Sequence, residues 1–126
     1  MDIYGDCGNL TCVGTCIDDN SLHYYFYLAF ENSICPDYIS EKFWRNINHP
    51  VIPVVMGGGN YSRDAPPHSY IDVNDFSNVE ELGNHLISVM NNRVNMQNIL
   101  NLIALISNIS IFYTIFFIMN TEFLIY

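Results

Sequence analysis

The sequence predicts an α/β fold in which a parallel sheet is flanked by helices. Two stretches predict it. Tyr25-Phe26-Tyr27-Leu28-Ala29-Phe30 is a continuous apolar and aromatic run, and Val51-Ile52-Pro53-Val54-Val55 is another. Runs without polar alternation are how strands buried on both faces of a parallel sheet read. Between them lies a polar loop and a helical stretch, and the second run ends in Met56-Gly57-Gly58-Gly59-Asn60. The order is strand, polar loop, helix, strand, glycine-rich turn: a βαβ unit. A chain of 126 residues allows one domain with a modest core.

Each element has a local reason. Met1-Asp2-Ile3-Tyr4 opens as a short strand. Asp2, Asp6 and Cys7 stand where a secretory leader needs an apolar run, so the chain is expected to begin inside a domain. Residues 5–19 form a loop carrying glycine and cysteine. Asp18-Asp19-Asn20 reads as a solvated turn in preference to a metal motif. After the first long strand, Glu31-Asn32-Ser33 breaks the apolar run. Ser40 is a good N-cap for a helix over 41–48, and Glu41 sits in its first turn, where the helix dipole favours negative charge. His49-Pro50 ends that helix, because the residue before proline is pushed out of the α region. Trp44 is expected in the core.

The glycine triplet leaves three positions free to take positive φ. Residues 61–67 read as a loop, since Ala65-Pro66-Pro67-His68 suits neither a helix nor a central strand. Residues 69–73 read as a short strand. Ser77-Asn78-Val79-Glu80 reads as a capping box. It opens a helix over 78–90, with Val79, Leu82, Leu86 and Val89 on the face that covers the sheet. From about residue 91 the character changes. Residues 96–126 carry one charged side chain, Glu122, and residues 99–119 are 21 positions without a charge. That is long enough to span a bilayer as a helix, although Asn101, Ser107, Asn108, Ser110 and Thr114 weaken the membrane reading.

Ligands of open α/β sheets lie beyond the C-terminal ends of the strands. That rule brings Asn32, Tyr38, Glu41 and Lys42 to one rim, with Gly57, Gly58, Gly59 and Asn60 beside them. The set suits a sugar nucleotide: the carboxylate takes sugar hydroxyls, while the lysine and the helix N-terminus take phosphate. Each residue has a plainer reading. Lys42 alone would be a solvated cation and Glu41 an ordinary first-turn acid. Tyr38 is split between packing and ligand contact, Asn32 could cap its loop, and the glycines could be a turn only. Glu31 could be a buried structural acid.

Other classes are set aside. With 13 acidic and 4 basic residues the formal charge is −9, which leaves no basic stripe for nucleic acid. Cys7, Cys12, Cys16 and Cys35 do not form a paired C-x-x-C framework for zinc. His23, His49, His68 and His85 share no ligand spacing, so no metal site is expected. Three N-x-S/T sequons occur, at Asn9, Asn60 and Asn108. Asn9 is the best glycan candidate, and Asn60 falls in the candidate cleft.

Phe30-Glu31-Asn32-Ser33, Asp37-Tyr38-Ile39-Ser40-Glu41-Lys42-Phe43, Pro53-Val54-Val55, Gly58-Gly59-Asn60-Tyr61, Ala65-Pro66-Pro67-His68-Ser69-Tyr70-Ile71-Asp72 and Asp75-Phe76 together resemble the α-1,3-fucosyltransferases. The likeness runs from Asp2-Ile3-Tyr4-Gly5 to about Met90. It is nearest to invertebrate members, which share the opening seen from Asp2 to Cys12. Serine stands at position 40 where the family usually has threonine; both cap a helix.

The resemblance implies a Rossmann-like donor-binding domain of the GT-B type over residues 1–90, followed by a hydrophobic helical tail over 91–126 that does not match the family. It implies transfer of fucose from GDP-fucose, with inversion, to N-acetylglucosamine of a glycan in α-1,3 linkage. Asn32, Tyr38, Glu41 and Lys42 become donor-binding residues, and Gly58, Gly59 and Asn60 a possible donor loop. No metal or other cofactor is implied. Disulfides among Cys7, Cys12, Cys16 and Cys35 follow from a lumenal setting, with connectivity open. So does residence on the lumenal side of the Golgi membrane, with membrane association through 99–119 as a further possibility. The family's general base belongs to an acceptor-binding domain outside the matched stretch, so none is named here and the chain alone is not expected to turn over. Two other readings stand: a non-enzymatic lumenal nucleotide-binding module, and a small membrane protein anchored by its tail.

Overall fold

The structure is a computed structural model, and it describes residues 2–3, 10, 24–107 and 123–125. Its strands are β1 (Asp2–Ile3), β2 (Phe26–Phe30), β3 (Ile52–Met56), β4 (Ile71–Asp72) and β5 (Phe123–Ile125). They form one sheet in the order β1-β5-β2-β3-β4, and every pairing is parallel. The helices are α1 (Glu41–Asn46), α2 (Tyr61–Asp64), α3 (Val79–Asn91) and α4 (Arg93–Ser107), with a 3-10 turn at Val73–Asp75.

The apolar runs become the central pair. β2 and β3 are in register from Phe26 opposite Ile52 to Phe30 opposite Met56. Phe26, Tyr27 and Ala29 of β2 are buried, as are Ile52, Val54 and Val55 of β3, so neighbours on opposite faces are both covered. Pro53 is tolerated within β3 because β4 pairs only from Val54 onward; at the proline, that side has no strand to receive an N–H. Helix α1 docks through Phe43, which is fully buried, and through Ile47 just past its end. Phe43 meets Trp44, Tyr61 and Tyr70 edge-on, at centroid distances of 5.0, 5.5 and 6.1 Å. Aromatic pairs favour that geometry.

The remaining core comes from α3 and α4. Leu86 and Val89 of α3 join Met96, Leu100 and Ile103 of α4 in the same buried cluster. Asn92 makes the corner between them: its N–H donates to the Ser88 and Val89 carbonyls, closing α3, and its Oδ1 accepts the Asn95 N–H, opening α4.

Several sequence expectations are corrected in detail. Trp44 is 42% exposed, and its neighbour Phe43 takes the core position. Residues 61–64 are a helical turn and not loop, because Asn60 caps them ahead of the prolines. Strand β4 is shorter than expected, since the chain turns into the 3-10 helix at Val73. Helix α3 is capped by Asn78, one residue after Ser77: the Asn78 side chain accepts the Glu81 N–H and Glu81 reaches back to the Ser77 N–H. Val79 is 82% exposed, leaving Leu82, Leu86 and Val89 to face the core. The expected helical tail is helical over α4, whereas residues 123–125 are strand β5. The candidate span over 99–119 falls largely outside the described residues, and among the described residues no helix is long and apolar enough to cross a membrane. Asn9, Cys7, Cys12 and Cys16 also lie outside them.

Candidate functional site

The loops after β2 and β3 lie against each other beyond the sheet. Glu31 continues the ladder by one bond, its N–H donating to the Met56 carbonyl at 2.9 Å. Farther out, the Asp37 N–H donates to the Gly58 carbonyl at 3.1 Å. Two of the three glycines make this closeness possible. A Cβ at Gly58 would run into the Cys35 backbone carbonyl, and one at Gly59 would run into Ile39 and the Tyr38 carbonyl. Asp37 takes a positive φ of 57° to complete the turn, a conformation that aspartate tolerates better than most residues.

At the end of this loop Ser40 caps α1, its Oγ accepting the Lys42 N–H at 3.3 Å. Such a cap is worth about 1 kcal/mol. The Lys42 ammonium in turn donates to Asn32 Oδ1 at 2.6 Å, tying the start of the loop to the first turn of the helix. The structure therefore joins Asn32 and Lys42 directly. Tyr38, 47% exposed, and Glu41, also exposed, stand on the same loop–helix segment.

A cleft of about 510 Å³ opens beside this rim. Asp37, Gly58, Gly59, Asn60, Tyr61, Asp72 and Asp75 are among its lining residues, so the predicted residues 58–60 line it and Asn32, Tyr38, Glu41 and Lys42 lie outside it. Asn60 is occupied locally: its Oδ1 accepts the Arg63 N–H and the Ser62 hydroxyl. Arg63 bridges Asp37 at 3.1 Å and Asp64 at 2.6 Å, which raises its pKa and holds the Asp64 carboxyl below its usual range. The cleft is thus a field of carboxylates whose nearest guanidinium is already paired.

Tyr61 forms part of the wall. It is 2% exposed, and its hydroxyl is buried without a hydrogen-bond partner. Burial, and then the carboxylates of Glu31 and Asp72, push its pKa up to about 12. Tyr70 is raised for the same kinds of reason, burial first and then Asp72 and Asp75. Cys35 is a free, exposed thiol. Among the described residues no three His, Cys, Asp or Glu side chains are grouped as metal ligands would be.

Sequence reasoning missed Asp37, Tyr61, Tyr70, Asp72 and Asp75 as cleft residues. A signal for two of them was present: Asp72 ends β4 and Asp75 follows it, and the rule applied to the ends of β2 and β3 holds equally there.

Fold and site define an α/β domain with a polar cleft at the C-terminal edge of a parallel sheet. The family described as glycosyltransferase family 10 (fucosyltransferase), C-terminal part, matches residues 1–101. The chain is 49% identical over 89 residues to alpha-(1,3)-fucosyltransferase C of Drosophila melanogaster, covering 68% of this chain and 21% of that protein. It is 39% identical over 97 residues to alpha-(1,3)-fucosyltransferase fut-1 of Caenorhabditis elegans, covering 74% and 22%. With glycoprotein 3-alpha-L-fucosyltransferase A of Drosophila melanogaster it shares 47% over 93 residues, covering 68% and 18%. No solved structure matches. The chain belongs to glycosyltransferase family 10, the fucosyltransferases, and its match is to the C-terminal part. The matched stretch spans about a fifth of the length of these relatives.

Proposed function

We propose that this chain is the donor-binding part of an inverting α-1,3-fucosyltransferase that takes fucose from GDP-fucose and delivers it to N-acetylglucosamine of a glycan on the lumenal side of the Golgi. The observation that carries the reading is the Asn32–Lys42 pair at the mouth of the βαβ unit. It sets a cation at the first turn of a helix, where a diphosphate gains a charged hydrogen-bond donor. Lys42 would offset the charge that develops on the departing GDP. Glu41 and Tyr38 would accept and give hydrogen bonds to sugar hydroxyls and hold the donor in line. The carboxylates of the neighbouring cleft argue for the same arrangement. Asp37, Asp72 and Asp75 repel a diphosphate and suit the hydroxyl and N–H edges of sugar or base, so phosphate belongs on the Lys42 side. Transfer itself is assigned to the longer enzyme, whose acceptor half would supply the general base.

The test is calorimetric titration of the 126-residue chain with GDP, GDP-fucose and UDP, with Lys42→Ala alongside. Removing a charged hydrogen bond costs about 1.5–3 kcal/mol, roughly a ten- to hundredfold loss of affinity. GDP-selective binding that falls by that factor is the expected result. Equal binding of UDP, or full affinity in Lys42→Ala, overturns the proposal.

A further inference from the structure

Glu31 is the one acid of the donor loops that is buried, at 9% exposure, and it does not reach the cleft or the Asn32–Lys42 pair. Its Oε1 accepts the backbone N–H of Ser40 at 2.8 Å, nine residues along the chain, in a buried bond. Ser40 is the N-cap of α1, so the carboxylate holds the residue from which that helix starts. We propose that Glu31 is a positioning residue for the donor site: it fixes the start of α1 and thereby the placement of Lys42 and Glu41 relative to Asn32. The inference rests on the donor-binding reading of Lys42.

Three observations carry it. Glu31 directly precedes Asn32, and its own N–H is held by Met56, so the Asn32 end of the site is pinned to the sheet. Through Ser40 the same side chain pins the other end, and the Asn32–Lys42 bond closes the ring. Space has also been cleared for the carboxylate. A Cβ at Gly57 would come 2.8 Å from Glu31 Cγ and 3.3 Å from the Tyr61 hydroxyl, so the glycine is needed where the two side chains meet. Burying a carboxylate is costly unless it is hydrogen-bonded, and an apolar side chain of similar size would fill the space more cheaply. What the carboxylate adds over an apolar side chain is an acceptor aimed at one amide. That amide lies at a helix N-terminus, where an anion is favoured.

The experiment uses the whole chain, with GDP as the probe. Glu31→Gln keeps volume and acceptor, Glu31→Leu keeps volume alone, and Lys42→Ala reports on the donor reading. Titration calorimetry gives affinity, and far-UV circular dichroism with urea unfolding gives foldedness. The expected result is GDP binding within about threefold of the parent for Glu31→Gln and at least about tenfold weaker for a folded Glu31→Leu, the loss that one hydrogen bond to a charged group represents. Weakening in Lys42→Ala with parental affinity in Glu31→Leu overturns the role of Glu31 alone. Parental affinity in Lys42→Ala overturns the donor reading, and this inference with it. A loss in Glu31→Gln as large as in Glu31→Leu also overturns it, because the acceptor would then not be the feature that matters. If Glu31→Leu does not fold, hydrogen exchange of the Ser40 amide decides in the parent and in Glu31→Gln. Protection in both supports the bond, and exchange at the rate of an open loop overturns it.

Discussion

Tyr61→Phe tests one of the two buried side-chain polar atoms that lack a hydrogen-bond partner among the described residues. The phenol ring packs edge-to-face on Phe43 at 5.5 Å and lies 5.5 Å from Tyr70, and phenylalanine keeps both contacts. The change removes only a buried hydroxyl that has no partner. A group of that kind costs about 1–3 kcal/mol, so the variant is expected to be more stable at pH 7 by about 1 kcal/mol or more. For a domain of this size that is a rise in Tm of roughly 3–6 °C. A second effect appears in alkali. The unfolded chain releases the phenolic proton near pH 10, whereas the folded chain holds it to about 12. Between those values the unfolded state binds fewer protons, so stability falls as pH rises through the window. Tyr61→Phe lacks this loss, and its advantage should widen from about pH 10 to about pH 11.5. Urea unfolding followed by circular dichroism at neutral pH and at both ends of that window measures both effects. A variant less stable than the parent at neutral pH would refute the reasoning, because the hydroxyl would then be hydrogen-bonded, with Glu31 the nearest acid. A gap that stays constant with pH would refute the charge argument separately.

Two glycine changes should move in opposite directions. Gly58→Ala sets a Cβ into the Cys35 backbone, which cannot yield without parting the two loops, and should cost about 1–3 kcal/mol in urea unfolding. It should weaken GDP binding as well. Gly83 lies within α3, and a Cβ added there would meet nothing within 4 Å, so Gly83→Ala should add about 0.5–1 kcal/mol through helix propensity. Thermal unfolding of that variant, with GDP affinity unchanged, is the check.

The frame of the fold was legible because β2 and β3 are long, uninterrupted and apolar, and such runs have few alternatives in a chain of this size. The site was legible in part. Asn32 and Lys42 could be brought together from the βαβ order alone, and they are bonded. The glycine triplet was recognised as a turn, but its reason was not visible. Gly58 and Gly59 are there for the backbone and side chains of residues 35–39, which only the folded loops bring near. The acidic cleft was missed because Asp37 is 35 residues from Asp72 and only the folded loops bring it beside Asp72 and Asp75. The cap of α3 shifted by one residue because Ser77 and Asn78 are both good caps, and the choice depends on which Glu, 80 or 81, can reach back.

The exchange of Trp44 for Phe43 has a physical cause that also gives a test. Helix α1 has only six residues, too few for a hydrophobic period to declare itself, and the two aromatics are adjacent. Size favours tryptophan for the core. The decision is made by the i, i+3, i+4 arc, which aligns Phe43 with Asn46 and Ile47, all buried, and turns Trp44 and Arg45 outward. Phe43 also reaches Tyr61 and Tyr70, which bind α1 to the walls of the cleft. Phe43→Ala should therefore cost about 3–5 kcal/mol, the range for deleting a buried aromatic. Trp44→Ala removes one edge contact from a half-exposed ring and should cost about 1 kcal/mol or less. Urea unfolding of the two variants compares them directly. Equal losses would mean that the helix is rotated from the orientation described, and with it Glu41 and Lys42.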